Sequence, residues 1–313
     1  MASVISYSGH QYLRQRLVLS ILSGKPVRID KIRSEHENPG LTDYEVSLLR
    51  LLEKVTNGTV IEISVTGTAV LLKPGVITGG SVTHDCPLSR AIGYFLEPLV
   101  MLGPFSKKPF HLTLRGITTD QDDLSADLIR TVTLPHLQLF GISEGLELRI
   151  KRRGAPPGGG GEVQFLCPVV KQVKTLNFVE PGKIKRIRGI AHAVRVSPQF
   201  SNRMIDAARL TTSAVHCAEA VSQPGGTPED VALLASRALL SEIRQGGCVL
   251  LMMVLGSEDV GRCRMGEPTV RTVQFLRDIR DFFGTSFKIT RQCTELMYSC
   301  YGTGYVNVNR TLA

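Results

Sequence analysis

The apolar positions near the N-terminus switch between two periods. Residues 4–7 read as an extended stretch. Leu13, Leu17 and Ile21 then recur at i, i+4 and i+8, one face of a helix, and Gly24 followed by Pro26 stops it. Residues 27–32 read as a strand. Thr42 and Glu45 form a capping box, and the helix they open carries Val46, Leu49, Leu52 and Val55 inward until Asn57-Gly58. Val60, Ile61, Ile63 and Val65 form a strand, turned at Gly67 into a partner over 69–72. The order is βαβαββ.

The next stretch repeats that order at a period of about 80 residues, without repeating residue identities. Residues 76–82 are extended. Ser89 is placed to cap a helix that runs to Leu102, with a bend at Pro98. Phe110, Leu112 and Leu114 alternate as a strand, and a helix covers 123–140. Leu146, Leu148 and Ile150 alternate with Glu147, Arg149 and Lys151, a half-buried strand with a charged face. A glycine run then leads into a strand over 163–167. A third unit is interrupted. Residues 170–176 start it, 270–283 supply an amphipathic helix, and 287–289 and 297–308 supply strands. Between them, a basic strand over 184–196, a helix from Ser197-Pro198 to Leu210 and a helix from Thr227 to Arg244 form a candidate insert.

The expected fold class is therefore α+β with α/β-type layers. Three tandem βαβαββ units form a body from residues 1–182 and 248–313, and 183–247 form a small inserted α/β domain.

Composition removes several classes. Apolar residues make up 42% of the 313-residue chain, enough for a sizeable core. The longest uninterrupted apolar run, Cys248 to Leu255, is too short to span a bilayer, which needs ~20 residues. The N-terminus lacks the pattern of a signal peptide. Seven cysteines without a C-x-x-C pair point to a reducing compartment rather than a disulfide scaffold or zinc ribbon, and no histidine has metal-ligand spacing. Trp is absent and aromatics are 6%, so base stacking is not expected to dominate any surface. The net charge is +9, and its whole excess lies in residues 149–209, where thirteen basic residues face three acidic ones. Such a block attracts polyanions, or is a solvated face.

The strongest local motif is Arg153-Gly154-Ala155-Pro156-Pro157-Gly158-Gly159-Gly160-Gly161-Glu162-Val163. Four consecutive glycines leave amides open to an anion, and Arg152 and Arg153 stand beside them. The alternative is a flexible hairpin tip. It is not a P-loop, because no Gly-Lys-Ser/Thr follows. His84-Asp85 resembles a metal-hydrolase dipeptide but lacks partner ligands, so a core or turn role is expected.

Residues 153–163, Ile32-Arg33 with Pro39-Gly40-Leu41, and Gly246-Gly247-Cys248-Val249 together resemble the RNA 3′-terminal phosphate cyclase family, in the same order over nearly the whole chain. Leu13-Arg14 before Leu19-Ser20, Asn38-Pro39-Gly40-Leu41, residues 184–189, Arg195-Val196-Ser197-Pro198 and Phe275-Leu276-Arg277-Asp278 are similar to its cyclase-like branch in eukaryotic ribosome assembly. The resemblance implies three βαβαββ units with one insert.

Cyclases of the family act through a nucleotidyl-histidine placed just before the last long helix. This chain reads Met265-Gly266-Glu267-Pro268-Thr269-Val270 there, and its last histidine is His216. Ser8-Gly9-His10-Gln11-Tyr12 replaces a glycine-rich element, His36 replaces a second arginine, and Tyr44-Glu45 replaces a Gln-His pair. Cyclase activity and its cofactors are therefore not expected. The anion or RNA site expected to persist comprises Arg14, Arg33, Arg152, Arg153, Gly158, Gly159, Gly160 and Gly161, with Lys183, Lys185, Arg186 and Arg188 as a basic dock.

The branch implies a nucleolar assembly factor of the small-subunit processome, required for early pre-rRNA processing. Its partners would be a nucleolar GTPase, pre-rRNA and small nucleolar ribonucleoprotein components, with no membrane. One alternative is a metal-independent endoribonuclease using Arg277, Asp278 and Arg280; against it stands a helical salt-bridge face. A second is an active cyclase. Finally, the chain is shorter than the resemblance implies after Leu210, after Val249 and near 292–295. Either these are true deletions or loops are missing from the sequence, and the second is expected, because a strand pair cannot leave a small insert without exposing its helices.

Overall fold

The structure is a computed structural model, and it describes residues 3–179, 190–194, 196–209, 220, 227–228, 230–231, 246–292 and 295–310. Three four-stranded sheets share one strand order. In the first, β1 (Ile5–Ser8) runs parallel to β2 (Val27–Asp30), followed by antiparallel β5 (Val70–Lys73) and β4 (Val60–Ile63). In the second the same places are taken by β7 (Gly80–Asp85), β8 (Phe110–Gly116), β10 (Gly161–Cys167) and β9 (Glu147–Arg152). In the third they are taken by β11 (Asn177–Phe178), β12 (Val260–Met265), β14 (Glu295–Tyr301) and β13 (Lys288–Gln292). A short ribbon of β3 (Thr56–Asn57) and β6 (Val76–Ile77) joins the first two units.

Among the described residues the α-helices are α1 (Leu13–Ser23), α2 (Asp43–Val55), α3 (Ile92–Leu102), α4 (Ala126–Leu128), α5 (Leu134–Leu139), α6 (Gln199–Arg209), α7 (Gly246–Val254) and α8 (Val270–Phe283). One helix from each unit meets the others: α1 packs on α3 and α8, α3 on α7, and α7 on α8. Helix α7 is apolar all round, and Cys248 to Leu255 are buried throughout. Such a helix is stable only when enclosed. The sheets close this core from outside. Along β10 buried and partly buried residues alternate, so one face packs inward and the other faces outward.

A polar clasp ties the first helix to the last. Asp278 on α8 is fully buried. It accepts from Gln15 Nε2 at 2.7 Å, Arg16 Nε at 3.3 Å and Gln274 Nε2 at 2.8 Å. The Arg16 guanidinium lies 3.9 Å over the Tyr7 ring and donates to the Gln11 carbonyl at 3.2 Å. Burial, followed by the charges of Asp278 and Asp281, pushes the Tyr7 phenol well above its ordinary range.

Several boundaries differ from the sequence expectation, each for a long-range reason. Ser89 does not cap α3; it donates to Asp43 at 2.7 Å, while the α3 cap is Ala91, whose amide is held by Asp120 at 2.8 Å. The helix expected from Asp123 starts at Ala126, capped by Ser125, and passes through a π turn at Ile129–Thr133. Asp123 is instead buried against Arg90. The strand expected over 76–82 breaks into β6 and β7 at Gly79-Gly80, both with positive φ. The third unit begins at Asn177, where 170–176 was expected, and 302–307 is not a strand. The chain passes through Val249 as uninterrupted helix. The junctions at Leu210 and near Cys293 lie outside the described residues. So do most of the basic strand over 184–196 and the second insert helix; the described part, 190–194 and 196, is not a strand.

Removing one partner of a buried charge pair costs about 3–5 kcal/mol. Asp278→Ala is therefore expected to lose about that much in urea unfolding, and Arg277→Ala, at an exposed site on the same helix, less than about 0.5 kcal/mol. Equal losses would show that the clasp is not a major tie.

Candidate functional site

Arg14 projects from the first turn of α1 and Arg33 from the loop after β2, where its φ of 46° is left-handed. Both approach the aromatic pair Tyr44 and Tyr94, whose centroids are 5.0 Å apart. Arg14 donates from Nη1 to the Tyr94 carbonyl at 3.0 Å, pairs with Glu97 at 3.0 Å, and lies 4.2 Å over the Tyr94 ring. Arg33 forms a two-pronged pair with Glu45 at 2.7 and 2.9 Å. Glu45 also accepts the Thr42 amide at 2.9 Å, the helix-opening contact read from the sequence. Two further cations escaped sequence reasoning. Arg90 pairs with Asp123 at 2.6 and 2.8 Å over the same rings, and Arg271 reaches Glu97 at 3.6 Å. Their partners lie 33 and 174 residues away in sequence, so no local spacing signals them.

The structure thus brings Arg14 and Arg33 together, but each is committed to a carboxylate. The Arg33 and Glu45 side chains are only 13% and 4% exposed. A phosphate entering here would have to displace a buried carboxylate. His36 sits edge-on to His10 at 5.8 Å. Burial, then the Arg33 charge, lowers the His10 pKa.

The glycine turn is a second, separate cluster. Arg153 grips Asp127 with both terminal nitrogens. Arg152 is exposed and lies 3.5 Å from Glu162, which Arg115 also contacts at 3.2 Å. Gly154 exchanges hydrogen bonds with Thr118, donating to its hydroxyl at 3.2 Å and accepting its amide at 2.9 Å. A Cβ on Gly154 would lie 2.3 Å from the Gly161 nitrogen and 2.4 Å from the Gly116 oxygen. Close backbone packing therefore explains Gly154 and Gly161. Gly159 is buried beside Leu88, whereas Gly158 and Gly160 are exposed. A shallow hollow lined by Leu88, Arg115, Arg152, Gly160 and their neighbours lies beside the turn.

The loop between β12 and α8 is where the resemblance implies a nucleophile. Glu267 there pairs with Arg291, Thr269 accepts the Thr272 amide at 3.2 Å to cap α8, and Tyr298 donates to the Gly266 carbonyl at 3.3 Å. The loop holds no imidazole. Arg277, Asp278 and Arg280 do not share a surface: Asp278 faces the core and both arginines face solvent. His84 is buried, with Nε2 2.8 Å from the Ser47 hydroxyl and Nδ1 3.5 Å from Lys54, and burial lowers its pKa. Among the described residues no cluster of three or more His, Cys, Asp or Glu is arranged to hold a metal ion. No described helix is long and apolar enough to cross a membrane. Lys183, Lys185, Arg186 and Arg188 lie outside the described residues.

Two measurements check this account of the glycine turn. Gly154→Ala is expected to destabilise far more than Gly160→Ala, which has open space and costs only the ~1 kcal/mol of its left-handed backbone. Burial raises the Asp127 carboxyl, but the hydrogen bond and charge of Arg153 outweigh it and hold its pKa below the usual range. A depressed folded pKa gives stability that is complete above the unfolded value, about 3.9, and is lost as pH falls through the folded one. Arg153→Gln should therefore lose about 1.5–3 kcal/mol at pH 7, and the gap to the parent should narrow below about pH 4. A gap that ignores pH would contradict the pairing.

The sequence profile of RNA 3′-terminal phosphate cyclase matches residues 5–289. A Homo sapiens RNA 3′-terminal phosphate cyclase-like protein is 44% identical over 368 aligned positions, which cover 99% of both chains. The rRNA processing protein of Schizosaccharomyces pombe is 42% identical, covering 98% of both, and that of Saccharomyces cerevisiae 36%, again covering 98% of both. An alignment of 368 positions against 313 residues means that the human relative carries at least 55 residues this chain lacks, nearly all internal. With its profile matched over most of its length and such relatives matched end to end, the chain belongs to the RNA 3′-terminal phosphate cyclase family.

Proposed function

We propose that this protein acts in rRNA processing without performing chemistry on RNA. In this reading it is a non-catalytic, cyclase-like assembly factor of the small-subunit processome. It works in the nucleolus, where it contacts pre-rRNA and small nucleolar ribonucleoprotein components and docks a GTPase. The observation that carries the reading is the end-to-end similarity to two proteins named for rRNA processing. The loop at 266–269, capped and paired but without imidazole, supports the absence of cyclase chemistry. The inserted segment 183–247 and its basic residues are proposed as the dock for the GTPase or for RNA.

Geometry gives the endoribonuclease reading little support. Asp278 is fully enclosed, and both of its oxygens accept hydrogen bonds from glutamine or arginine side chains. A cleavage defect in an Asp278 variant would therefore mix chemistry with folding. The exposed pair Arg277→Gln and Arg280→Gln avoids that confusion.

Depleting the protein from its own cells should cause unprocessed pre-rRNA to accumulate, read by probe hybridisation; unchanged precursors would overturn the proposal. Incubation with labelled ATP or GTP and a divalent metal should leave no covalent label on denatured protein, because the nucleophile is missing. Any label that survives denaturation and maps to one residue would restore the catalytic reading.

A further inference from the structure

The open faces of the three sheets differ in charge. On the first, Arg28 pairs with Asp30 at 2.9 Å and Lys73 with Glu62 at 2.8 Å. On the second, Arg115 pairs with Glu162 at 3.2 Å and Arg149 with Glu147 at 2.6 Å. On the third, two cations stand apart from the ion pairs among the described residues. Its register places Asn177, Arg262, Ser299 and Lys288 in one rung across all four strands. Alternate residues Cys263, Tyr298 and Cys300 are buried toward the helices, so this rung faces outward. Asn177, Arg262 and Lys288 are exposed. Neither this rung nor its two neighbours, Val260–Tyr301 and Arg264–Met297–Thr290, contains an acidic residue; Met297 is buried, so the open part of the face is the Arg262 rung and the Tyr301 rung. Among the described residues, no carboxylate forms an ion pair with Arg262 or Lys288.

The neighbouring rung supplies an aromatic surface. Tyr301 is 59% exposed, opposite Val260 at 44%. A hollow of about 510 Å³ opens beside Tyr301, with Glu258, Thr285, Ser286 and Thr303 on its wall. Cations two strand spacings apart, ~10 Å, on long side chains can reach phosphates along one strand, whereas an exposed ring beside a polar hollow suits a base that has left its stack. A folded protein partner would not need this combination, and duplex RNA would keep its bases away from the ring.

We propose that the open face of the third sheet binds single-stranded RNA, with phosphates on Arg262 and Lys288 and one base stacked on Tyr301. The proposal rests on the rRNA-processing reading and gives it a surface.

The test is fluorescence anisotropy of the full chain with a labelled single-stranded uridine 12-mer across a KCl series. Arg262→Gln with Lys288→Gln should weaken binding tenfold or more and lower the slope of log affinity against log salt by ~1.4, at ~0.7 per lost single-strand contact. Tyr301→Ala should weaken binding on the order of tenfold with the slope unchanged, and Tyr301→Phe should retain affinity. Arg115→Gln with Arg149→Gln removes equal charge from the second sheet and should change affinity less than twofold. All variants alter exposed side chains, and each is compared by thermal melting first. If any variant melts early, Arg262→Lys and Lys288→Arg, which keep charge, should bind like the parent. Equal losses from the two arginine-containing pairs would reduce the face to general electrostatics and overturn the proposal. So would an unaffected Tyr301→Ala, or a parent protein that binds no RNA. Variants that bind RNA normally but fail to restore pre-rRNA processing in depleted cells would assign the face to a protein partner and also overturn it. The rRNA-processing reading fails separately, if depletion leaves pre-rRNA unchanged.

Discussion

Each βαβαββ unit has to hide one face of a four-stranded sheet, and the three units do so against one another. Helices α1, α3, α7 and α8 fill the space between, and α7 is apolar enough that it survives only inside that space. Two consequences follow. The buried ends of the polar network, above all Asp278 with Arg16, must be satisfied inside the core. Much of the second face of each sheet is left to solvent, where side chains are free to specialise, although Met297 on the third is buried.

That division of labour changes how the family's arginines are understood. Arg14, Arg33 and Arg153 stand where the resemblance places an anion site, yet each is engaged by Glu97, Glu45 or Asp127. Glu45 is one of the residues by which the chain departs from the cyclase pattern. It neutralises Arg33 while opening α2. On the proposed non-catalytic reading, the paired arginine cluster and the loop without imidazole belong together, as a place that holds the fold rather than one that opens to phosphate.

Much of the fold was legible because its signals are local. Gly24 ends α1 in a left-handed cap, and alternation marks β8 and β9. What failed to show was long-range. Ser89 has the chemistry of a cap, but Asp120 captures the helix start from across a loop. Four glycines look like an anion cradle in one dimension; only the packed backbone of Gly116 shows why Gly154 and Gly161 cannot carry a Cβ. Arg277, Asp278 and Arg280 are neighbours in sequence, yet a helix turns them to opposite sides. The third sheet's cation rung was invisible for the same reason, since its members come from residues 177, 262, 288 and 299.

The central claim is that RNA meets this protein on the third sheet while the arginine cluster and glycine turn stay closed. Ultraviolet crosslinking of the purified protein to a pre-rRNA fragment, with the joined peptide located by mass spectrometry, tests it most directly. The account predicts nucleotide adducts on the peptide carrying Tyr301. Adducts confined to peptides carrying Tyr44, Tyr94 or residues 153–161 would contradict it.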